Sequence, residues 1–326
     1  MGHPLKLVFL DTDPALGSSA ARGRDIDTAA FQSFGVVSSF ESTTPEELMA
    51  RAKDATILIT NKVKLGPTEF ALLPNLKLVC VLATGTDVVN LAAAEGRGIA
   101  VCNVPRYSTA STAQHAIALL LELTNHVGEH AEHVRTGGWL RSTAFSYWKR
   151  PLLELDGLTL GVAGFGAIGA RVATIGEALG MRVLVHTRTP QAQDARFVSK
   201  QDLLEQADVI SLHLPLTEAT RHYIDAAALR SMKRGALLVN VARGALIDPS
   251  AVAQALEQGH LGGAAVDVLE SEPPKAEHPL LRAPGAIVTP HLAWTSSAAR
   301  TRLLQVTYDN VAAFLGGAPQ NVVRPS

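Results

Sequence analysis

The sequence predicts an α/β protein made of two doubly wound parallel sheets, and three observations lead to this prediction. Short apolar runs rich in Val, Ile and Leu alternate with segments of helical spacing, which is typical of parallel sheets covered on both faces. This alternation starts anew near residue 158, at a glycine-rich turn. With 326 residues, the chain is also too long for one comfortable core, so two domains are expected.

The first hundred residues supply the strands of one sheet. Pro45–Ala52 and Leu91–Glu95 have helical spacing and lie between strands, and the polar stretch 11–27 is expected to be a loop that leads into a helix. The predicted strands are Leu5–Leu10, Gly35–Phe40, Ala55–Thr60, Leu76–Leu82 and Ile99–Cys102.

A long helix, predicted from about Thr109 to Val127, follows the first set of strands. It contains Gln114, His115 and Glu122 and lacks the roughly 20 continuous apolar residues of a membrane span, so a buried helix is expected. The irregular segment 137–151 comes next and contains four aromatic residues. These side chains could mark an oligomer interface or cover the edge of a core.

The second sheet begins at the glycine turn. Its predicted strands are Thr159–Ala163, Arg182–His186, Val209–His213, Leu237–Val241, Ala264–Val268 and Ile287–Thr289. Its predicted helices are Ile168–Leu179, Lys200–Gln206, Ala226–Ser231 and Ser250–Glu257.

A last helix, Ser296–Leu315, follows the second sheet. A helix after a finished domain often packs back on the first one. We therefore predict that residues 1–103 and 294–326 form one domain and that residues 104–293 form the other, with the active site in the cleft between them.

The composition narrows the class of protein. Hydrophobic residues make up 47% and charged residues 18% of the chain, and the net charge is −1. The chain is therefore globular, without the basic excess that attracts nucleic acid or anionic lipid. Cys80 and Cys102 lie inside apolar runs, so a reducing cytoplasm is the expected setting. The N-terminus leads directly into a strand, so we expect no signal peptide, and we predict no metal site.

The glycine turn has the spacing Gly164-Phe-Gly166-Ala-Ile-Gly169, between a strand and a helix. Gly164 permits a tight turn, Gly166 permits a pyrophosphate to approach, and Gly169 permits the helix to pack closely on the strand. A turn of this kind directs backbone N–H groups and the positive end of a helix at one spot. The segment therefore predicts a Rossmann-like dinucleotide site; a glycine-rich turn without a ligand is the alternative.

The end of the next strand bears on which dinucleotide is used. An acidic residue about 20 positions beyond the glycines would bind the adenosine ribose diol of NAD, but the sequence has Thr187 followed by Arg188. A hydroxyl and a guanidinium favour a 2′-phosphate, which a carboxylate would repel. The sequence thus favours NADP(H), with NAD(H) possible; a solvated arginine with loose cofactor choice is the alternative.

Three ionisable residues follow the last strands of the second sheet. Arg243, Glu272 and His291 each come after a predicted strand, and ligands bind beyond the carboxyl ends of such strands. We therefore expect these side chains to converge, although each one alone is also common at a protein surface. In the first domain, Thr84 and Gly85 follow a strand and can present N–H groups to a carboxylate, or they form an ordinary turn.

Together these segments resemble the D-isomer-specific 2-hydroxyacid dehydrogenase family over nearly the whole chain. Within the family, Asn103-Val-Pro-Arg-Tyr-Ser-Thr-Ala-Ser-Thr-Ala-Gln-His115 and His291-Leu-Ala-Trp294 are most similar to glycerate dehydrogenases, also called hydroxypyruvate reductases. The family resemblance rests on the glycine turn and on His213-Leu-Pro215-Leu-Thr, Asn240-Val-Ala-Arg243-Gly, Asp267-Val-Leu-Glu-Ser-Glu272-Pro and Thr289-Pro-His291.

The resemblance implies a reductase that transfers hydride from NAD(P)H to a small 2-keto acid. His291 would donate the proton, Glu272 would orient its ring and favour the imidazolium, and Arg243 would hold the substrate carboxylate. Backbone N–H groups near Thr84 and Gly85 would bind the other side of that carboxylate. The implied cofactor-side residues are Ala167 and Ile168 near the pyrophosphate, Pro215, Val241 near the nicotinamide ribose and Asp267 near the carboxamide.

The sequence allows more than one role for Lys62, more than one size of substrate, and binding without turnover. Lys62 could be a substrate-side cation or an exposed lysine. Trp294 could line a pocket for hydroxypyruvate or glyoxylate, or for a bulkier keto acid such as phenylpyruvate. A binding protein that senses NAD(P) without turnover is a third possibility. The connection 127–151 resembles the dimerisation arm of the family and implies a homodimer, and the absence of a regulatory domain after residue 326 argues against the longer phosphoglycerate dehydrogenases.

Overall fold

The computed structural model describes residues 5–13, 28–190 and 194–325, and it divides the chain into two compact units. One unit comprises Met1–Ser108 and Trp294–Ser326, and the other comprises Thr109–Ala293. The sequence predicted the division at 103/104 and 293/294. Each unit contains a parallel sheet, which confirms the predicted fold class. Most of the loop expected at 11–27 lies outside the described residues.

The first unit is built on a sheet with the strand order β2-β1-β3-β4-β5. Its strands are β1 (Lys6–Phe9), β2 (Val36–Ser39), β3 (Ile57–Thr60), β4 (Leu78–Val81) and β5 (Ala100–Cys102). Between them lie helices α1 (Pro45–Ala52), α2 (Pro67–Ala71) and α3 (Leu91–Glu95). Helix α2 is an element that the sequence analysis did not predict.

Local capping explains why α1 begins where it does. The Thr44 side chain accepts a hydrogen bond from the Glu47 N–H, and the Glu47 carboxylate accepts one from the Thr44 N–H at 3.0 Å. Pro45 occupies the first helical position, where a missing N–H has no consequence. This reciprocal pair fixes the start of α1 at the residue that the sequence predicted.

The second unit begins with α4 (Thr109–Asn125) and α5 (Val127–Arg135). Its sheet has the strand order β11-β10-β9-β8-β6-β7. The strands are β6 (Thr159–Ala163), β7 (Arg182–His186), β8 (Val209–Leu212), β9 (Ala236–Asn240), β10 (Leu261–Val266) and β11 (Ala286–Val288). Its further helices are α6 (Ala167–Ala178), α7 (Lys200–Gln206), α8 (Ala226–Ser231) and α9 (Pro249–Glu257). Helix α10 (Ser297–Leu315) closes the chain in the first unit.

Alternation along the strands gives each sheet two apolar faces. In the second unit, one face packs against α7, α8 and α9, and the other against α4 and α6. In the first unit, one face packs against α10 and the other against α1, α2 and α3. Near-continuous burial of both faces explains why the strands have apolar runs rather than alternating polar residues.

The long helix predicted from Thr109 to Val127 is interrupted, so that prediction was wrong at its C-terminal end. His126 has a φ of +49°, a left-handed conformation that an α-helix does not accommodate. The Glu122 carboxylate accepts a hydrogen bond from the Gly128 N–H at 3.0 Å and stabilises the break. The chain therefore continues as the separate helix α5.

Cys80 and Cys102 lie opposite one another on β4 and β5, and both are buried thiols. Burial raises the pKa of Cys102 to about 11 and that of Cys80 well above its ordinary value. The protonated thiol is a poor nucleophile, so these two residues serve the core rather than chemistry.

Among the helices of the described residues, none has both the length and the apolar character of a membrane span.

Candidate active site

The glycine turn joins β6 to α6 in the second unit. Gly164 has a φ of +95°, and a Cβ atom there would lie 2.5 Å from the backbone oxygen of His213. A Cβ atom on Gly169 would overlap the carbonyl oxygen of Gly164. Both positions therefore require glycine for the backbone to fold this way.

Gly166 differs from the other two glycines, because a Cβ atom placed on it meets no heavy atom within 4 Å among the described residues other than its neighbours in the helix and chain. It is the N-cap of α6, and Gly166 and Ala167 are exposed. The first N–H groups of a helix have no partner within that helix, and they carry its positive dipole end. The space and the donors fit the pyrophosphate of a dinucleotide.

The strand register places the predicted adenosine-side residues next to this turn. Ala163 of β6 pairs with His186 of β7, and the Gly164 N–H donates a hydrogen bond to the His186 carbonyl oxygen at 2.8 Å. Thr187 is half-buried and Arg188 is exposed just beyond this pair. Their position in the chain thus brings a hydroxyl and a guanidinium to the edge of the glycine turn.

The other predicted cofactor-side residues lie at different depths. Ile168 is half-buried in the first turn of α6, and Pro215 is exposed after β8. Val241 is buried directly after β9. The structure therefore leaves Pro215 and Ala167 accessible to a ligand, whereas Val241 contributes to the core beneath.

The partly buried residue His213 follows β8, has its carbonyl group against Gly164, and was given no role by the sequence analysis. Nε2 of His213 is 2.9 Å from Oγ of Ser211, and Nδ1 has no hydrogen-bond partner in the part of the chain described. Burial lowers the pKa of His213 to about 4. The ring is therefore neutral near pH 7 and adds no positive charge to the dinucleotide site.

Arg243, Glu272 and His291 follow three strands that are neighbours in the sheet, β9, β10 and β11. Because carboxyl ends of parallel strands meet at one edge of a sheet, the three residues start from the same edge. The side chain of Asn240, which is fully buried, accepts a hydrogen bond from the Ala242 N–H and donates one to the Arg243 carbonyl oxygen at 2.9 Å. This fixes the turn that carries Arg243.

The next residue explains how the Arg243 turn approaches the segment after β10. A Cβ atom on Gly244 would overlap the carbonyl carbon of Leu269. The Leu269 N–H in turn donates to Oε1 of Glu272 at 3.0 Å. The absence of a side chain at Gly244 therefore brings the backbone after Arg243 against the segment that holds Glu272.

Glu272 and His291 form a direct pair. Nδ1 of His291 is 2.6 Å from Oε2 of Glu272, and the side chains of His291 and Glu272 are 27% and 30% exposed, respectively. An ionised carboxylate only accepts hydrogen bonds, so Nδ1 carries the hydrogen. Nε2 of His291 is then the ring nitrogen that can face a substrate.

The loop around His291 is anchored on Asp267. His291 has a φ of +53°, and its N–H donates to the Asp267 carbonyl oxygen at 2.8 Å. The Asp267 carboxylate accepts hydrogen bonds from the Thr289 hydroxyl at 2.6 Å, the Leu292 N–H at 3.0 Å and the Ala293 N–H at 2.8 Å. A left-handed conformation outside glycine is uncommon and persists only where surrounding contacts impose it.

Asp267 is ionised despite its burial. Burial acts to raise the pKa of this carboxyl, but the nearby His115 ring and hydrogen bonds from Thr289, Ala293 and Leu292 together hold that pKa below its ordinary value. The side chain has no exposed surface. The resemblance implied a contact between Asp267 and the nicotinamide carboxamide; that contact stays a prediction, and the donors to the carboxylate in the structure are groups of this chain.

The predicted substrate-side residues Thr84, Gly85 and Lys62 belong to the first unit. Thr84 follows β4, and its hydroxyl donates to the Val104 carbonyl oxygen at 2.9 Å. Lys62 follows β3 and is exposed. The structure thus places these residues after neighbouring strands of one sheet.

A buried aspartate holds the backbone that presents Lys62. The Asp11 carboxylate accepts hydrogen bonds from the Thr60 hydroxyl at 2.9 Å, the Asn61 N–H at 2.8 Å and the Lys62 N–H at 2.5 Å. Burial raises the pKa of Asp11, although these hydrogen bonds oppose the shift. Asp11 therefore fixes the main chain of the loop and leaves the ammonium group of Lys62 in solvent.

Trp294 lies in the core of the first unit rather than on its surface. Its ring centroid is 6.2 Å from that of Tyr107 in an edge-to-face arrangement, and the residue is 8% exposed. Its predicted part in lining a substrate pocket stays a prediction. The structure shows Trp294 packed against Tyr107 in this core.

Sequence reasoning missed residues that act through another residue. These are Asn240 next to Arg243, His115 next to the loop of His291, and Asp11 next to Lys62. The segments of Asn240 and His115 were quoted for the family resemblance only. A polar residue in an otherwise apolar buried segment is the signal that could have identified them, since such residues are hydrogen-bonded when buried.

Comparisons with known proteins agree on one family. Residues 117–293 match the family model of the D-isomer specific 2-hydroxyacid dehydrogenase NAD binding domain. A glycerate dehydrogenase from Methylorubrum extorquens is 42% identical over 321 residues, which cover 98% of each chain. A hydroxypyruvate reductase from Blautia hydrogenotrophica is 39% identical and covers 92% of this chain and 95% of its own. The solved structure of the TT0316 protein from Thermus thermophilus has a TM-score of 0.86 at 36% identity, and the match covers 98% of this chain and all of that one.

Proposed function

The chain belongs to the D-isomer-specific 2-hydroxyacid dehydrogenase family, and from this premise we propose that it reduces hydroxypyruvate or glyoxylate to the D-2-hydroxy acid, with NADPH preferred over NADH. The unit Thr109–Ala293 is the dinucleotide-binding domain in this proposal, and the other unit binds substrate. The 2.6 Å pair between His291 and Glu272 is the observation that carries the proposal, because it supplies an oriented proton donor.

His291 and Glu272 together can supply the proton that the reduction of a keto acid requires. Glu272 fixes the ring of His291 through Nδ1 and stabilises the protonated imidazole by its negative charge. Nε2 then donates its proton to the oxygen that becomes the alkoxide at C2 of the keto acid. When bound, the reduced nicotinamide supplies the hydride that C2 accepts.

Arg243 is the proposed anchor for the substrate carboxylate. A guanidinium presents forked donors that match a carboxylate, and it polarises an adjacent keto oxygen. The Asn240 side chain holds its main chain, and the Arg243 guanidinium donates to the Ala242 carbonyl oxygen at 2.8 Å. Backbone N–H groups at Thr84 and Gly85, after β4, and Lys62, after the neighbouring strand β3, are the proposed partners for the rest of the acid.

The cofactor preference rests on Thr187 and Arg188. They follow β7 beside the glycine turn, where the sequence has no carboxylate to bind a ribose diol. A hydroxyl and a guanidinium bind the 2′-phosphate of NADPH by charge-assisted hydrogen bonds. Gly164, Gly166, Ala167, Ile168 and Gly169 would hold the pyrophosphate of either dinucleotide.

Replacing Arg243 by alanine should reduce kcat/KM for hydroxypyruvate by an amount that corresponds to about 2–5 kcal/mol, because a charged donor is lost from a desolvated site. The measurement is steady-state oxidation of NADPH with hydroxypyruvate, glyoxylate and phenylpyruvate. Arg243→Lys keeps the charge without the fork and should recover only part of the loss.

The same keto-acid series decides between the alternatives. Highest kcat/KM with phenylpyruvate in the unaltered chain would favour the bulkier substrate class. Binding of NADPH without its oxidation by any of the acids would support a sensor instead. An Arg243→Ala variant with undiminished kcat/KM would remove the proposed anchor.

Replacing Thr187 by aspartate should turn the cofactor preference towards NADH. A carboxylate there repels a 2′-phosphate and accepts hydrogen bonds from a ribose diol, so the NADPH-to-NADH ratio of kcat/KM should fall about tenfold or more. Thr187→Ser keeps the hydroxyl and serves as the control. An unchanged ratio in the aspartate variant, or a preference for NADH in the unaltered chain, would contradict the assignment.

We also propose a homodimer formed through the connection 127–151. Leu140 and Phe145 are 91% and 93% exposed. Large apolar side chains exposed together on one segment are typical of a surface that binds another protein. Hydrogen bonds within the segment nevertheless hold it in place. The Lys149 N–H donates to Nε2 of His130, and Nδ1 of His133 lies 2.9 Å from the Tyr147 hydroxyl. A fixed segment that exposes large apolar groups fits a second copy of this chain.

Changing Leu140 and Phe145 together to serine should convert the dimer into a monomer, since the apolar contact is lost. Light scattering coupled to size exclusion should give about twice 34.4 kDa for the unaltered chain and half of that for the double variant. Leu72→Ser, which removes a half-exposed leucine of the first unit, should leave the mass unchanged. A monomeric mass for the unaltered chain would disprove the proposal.

A further inference from the structure

We propose that His115 and Thr289 are positioning residues for His291, acting through Asp267. The part of this inference that concerns catalysis rests on the proposed function, in which His291 donates the proton. The part that concerns the position of the loop 289–293 depends on the structure alone.

Strand pairing brings the two anchors of the loop together. Val266, the last residue of β10, pairs with Val288, the last residue of β11. Asp267 and Thr289 are the residues that follow, and the Thr289 N–H donates to the Val266 carbonyl oxygen at 2.9 Å. The register thus places the Thr289 hydroxyl beside the Asp267 carboxylate, two residues before His291.

The Asp267 carboxylate then holds the loop on both sides of His291. On one side it accepts the Thr289 hydroxyl, and on the other it accepts the N–H groups of Leu292 and Ala293. The backbone of His291 is left-handed between these contacts. Loss of either contact would release a conformation that the residue does not favour by itself.

His115 completes the arrangement from helix α4. Its Nε2 lies 3.1 Å from Oγ1 of Thr289 and 3.4 Å from Oδ1 of Asp267. Because the single hydroxyl hydrogen of Thr289 is donated to Asp267, Oγ1 accepts from the Nε2–H of His115. The donor order is therefore His115 to Thr289 to Asp267.

This order gives His115 a defined task. The Asp267 side chain is fully buried and that of His115 is 17% exposed, so the Nε2–H of His115 supplies Oγ1 of Thr289 with a donor and thereby keeps the hydroxyl hydrogen of Thr289 directed at Asp267. A buried carboxylate that loses a donor carries an uncompensated desolvation cost. We infer that the loop then moves, and that His291 leaves the position it needs relative to the substrate.

Matched variants separate this task from simple packing. Thr289→Val removes the hydroxyl at nearly constant volume, and Thr289→Ser keeps it. His115→Met removes the Nε2 donor, and His115→Gln places an amide N–H near the same position. Thr124→Val is the packing control, because Thr124 is a fully buried threonine of α4 whose hydroxyl donates to the carbonyl oxygens of Leu120 and Leu121 and accepts from the Asn125 side-chain amide, all within that helix.

The first measurement is hydrogen exchange at the amides of Leu292 and Ala293, followed by NMR on the full chain. We expect faster exchange in Thr289→Val and in His115→Met, and protection close to that of the unaltered chain in Thr289→Ser, His115→Gln and Thr124→Val. This readout needs no substrate. Unchanged protection in both Thr289→Val and His115→Met would overturn the inference.

The second measurement is kcat with hydroxypyruvate and NADPH, together with the NADPH dissociation constant from fluorescence. Displacement of a catalytic group by about 1 Å can cost about a hundredfold in rate, so kcat should fall about ten- to a hundredfold in Thr289→Val and His115→Met. KM and the NADPH dissociation constant should stay unchanged, and Thr289→Ser and His115→Gln should restore most of kcat.

The two measurements fail independently. Faster exchange in a chain that reduces no keto acid would support the positioning of the loop and contradict the proposed function. Active unaltered chain with full kcat in Thr289→Val and His115→Met would contradict the positioning role and leave the proposed function standing. An equal loss of kcat in Thr124→Val would show that packing, rather than the hydrogen bonds, is responsible.

Discussion

A hydrogen bond of 2.6 Å between Nδ1 of His291 and Oε2 of Glu272 is the interaction on which the proposed chemistry depends. It joins segments that follow different strands, so it exists only if β10 and β11 keep their register. The sheet provides that register through the pairing of β10 with β11, and Asp267 extends it by one residue into the loop. Stability of the core and orientation of the imidazole are therefore coupled at the carboxyl edge of the sheet.

Close backbone approach is the second requirement of the site. Gly244 brings the turn of Arg243 against Leu269, and Gly169 brings α6 against the glycine turn. In both places a methyl group would displace the main chain by more than a packed interior tolerates. The described residues leave open space at Gly166, which is why we propose that it faces the ligand rather than the core.

Local patterns predicted the elements well because their causes are local. The helix Pro45–Ala52 carries its own capping residues, and the strand Thr159–Ala163 ends at a glycine with a positive φ. The break at His126 could not be predicted in this way, since helical spacing of apolar residues continues through it. It depends on the carboxylate of Glu122, which the fold places at the Gly128 N–H.

The residues of the site also differ in whether local sequence or long-range packing determines their position. Motifs identified Arg243, Glu272 and His291 as candidates, because each stands just beyond a strand of one sheet. His115 could not be connected to Thr289 from the sequence, since 174 positions separate them and only the packing of α4 on the sheet brings them together. The packing of Trp294 against Tyr107 could not be predicted from the sequence for the same reason, and its part in a substrate pocket stays a prediction.

The most direct test of the account is a crystal structure of the chain with NADPH and oxamate, an unreactive analogue of a small 2-keto acid. We expect Nε2 of His291 within about 2.6–3.2 Å of the oxygen that corresponds to the keto group, Nδ1 still on Glu272, and the Arg243 guanidinium on the oxamate carboxylate. An imidazole turned away from the analogue, or a carboxylate bound without Arg243, would contradict it.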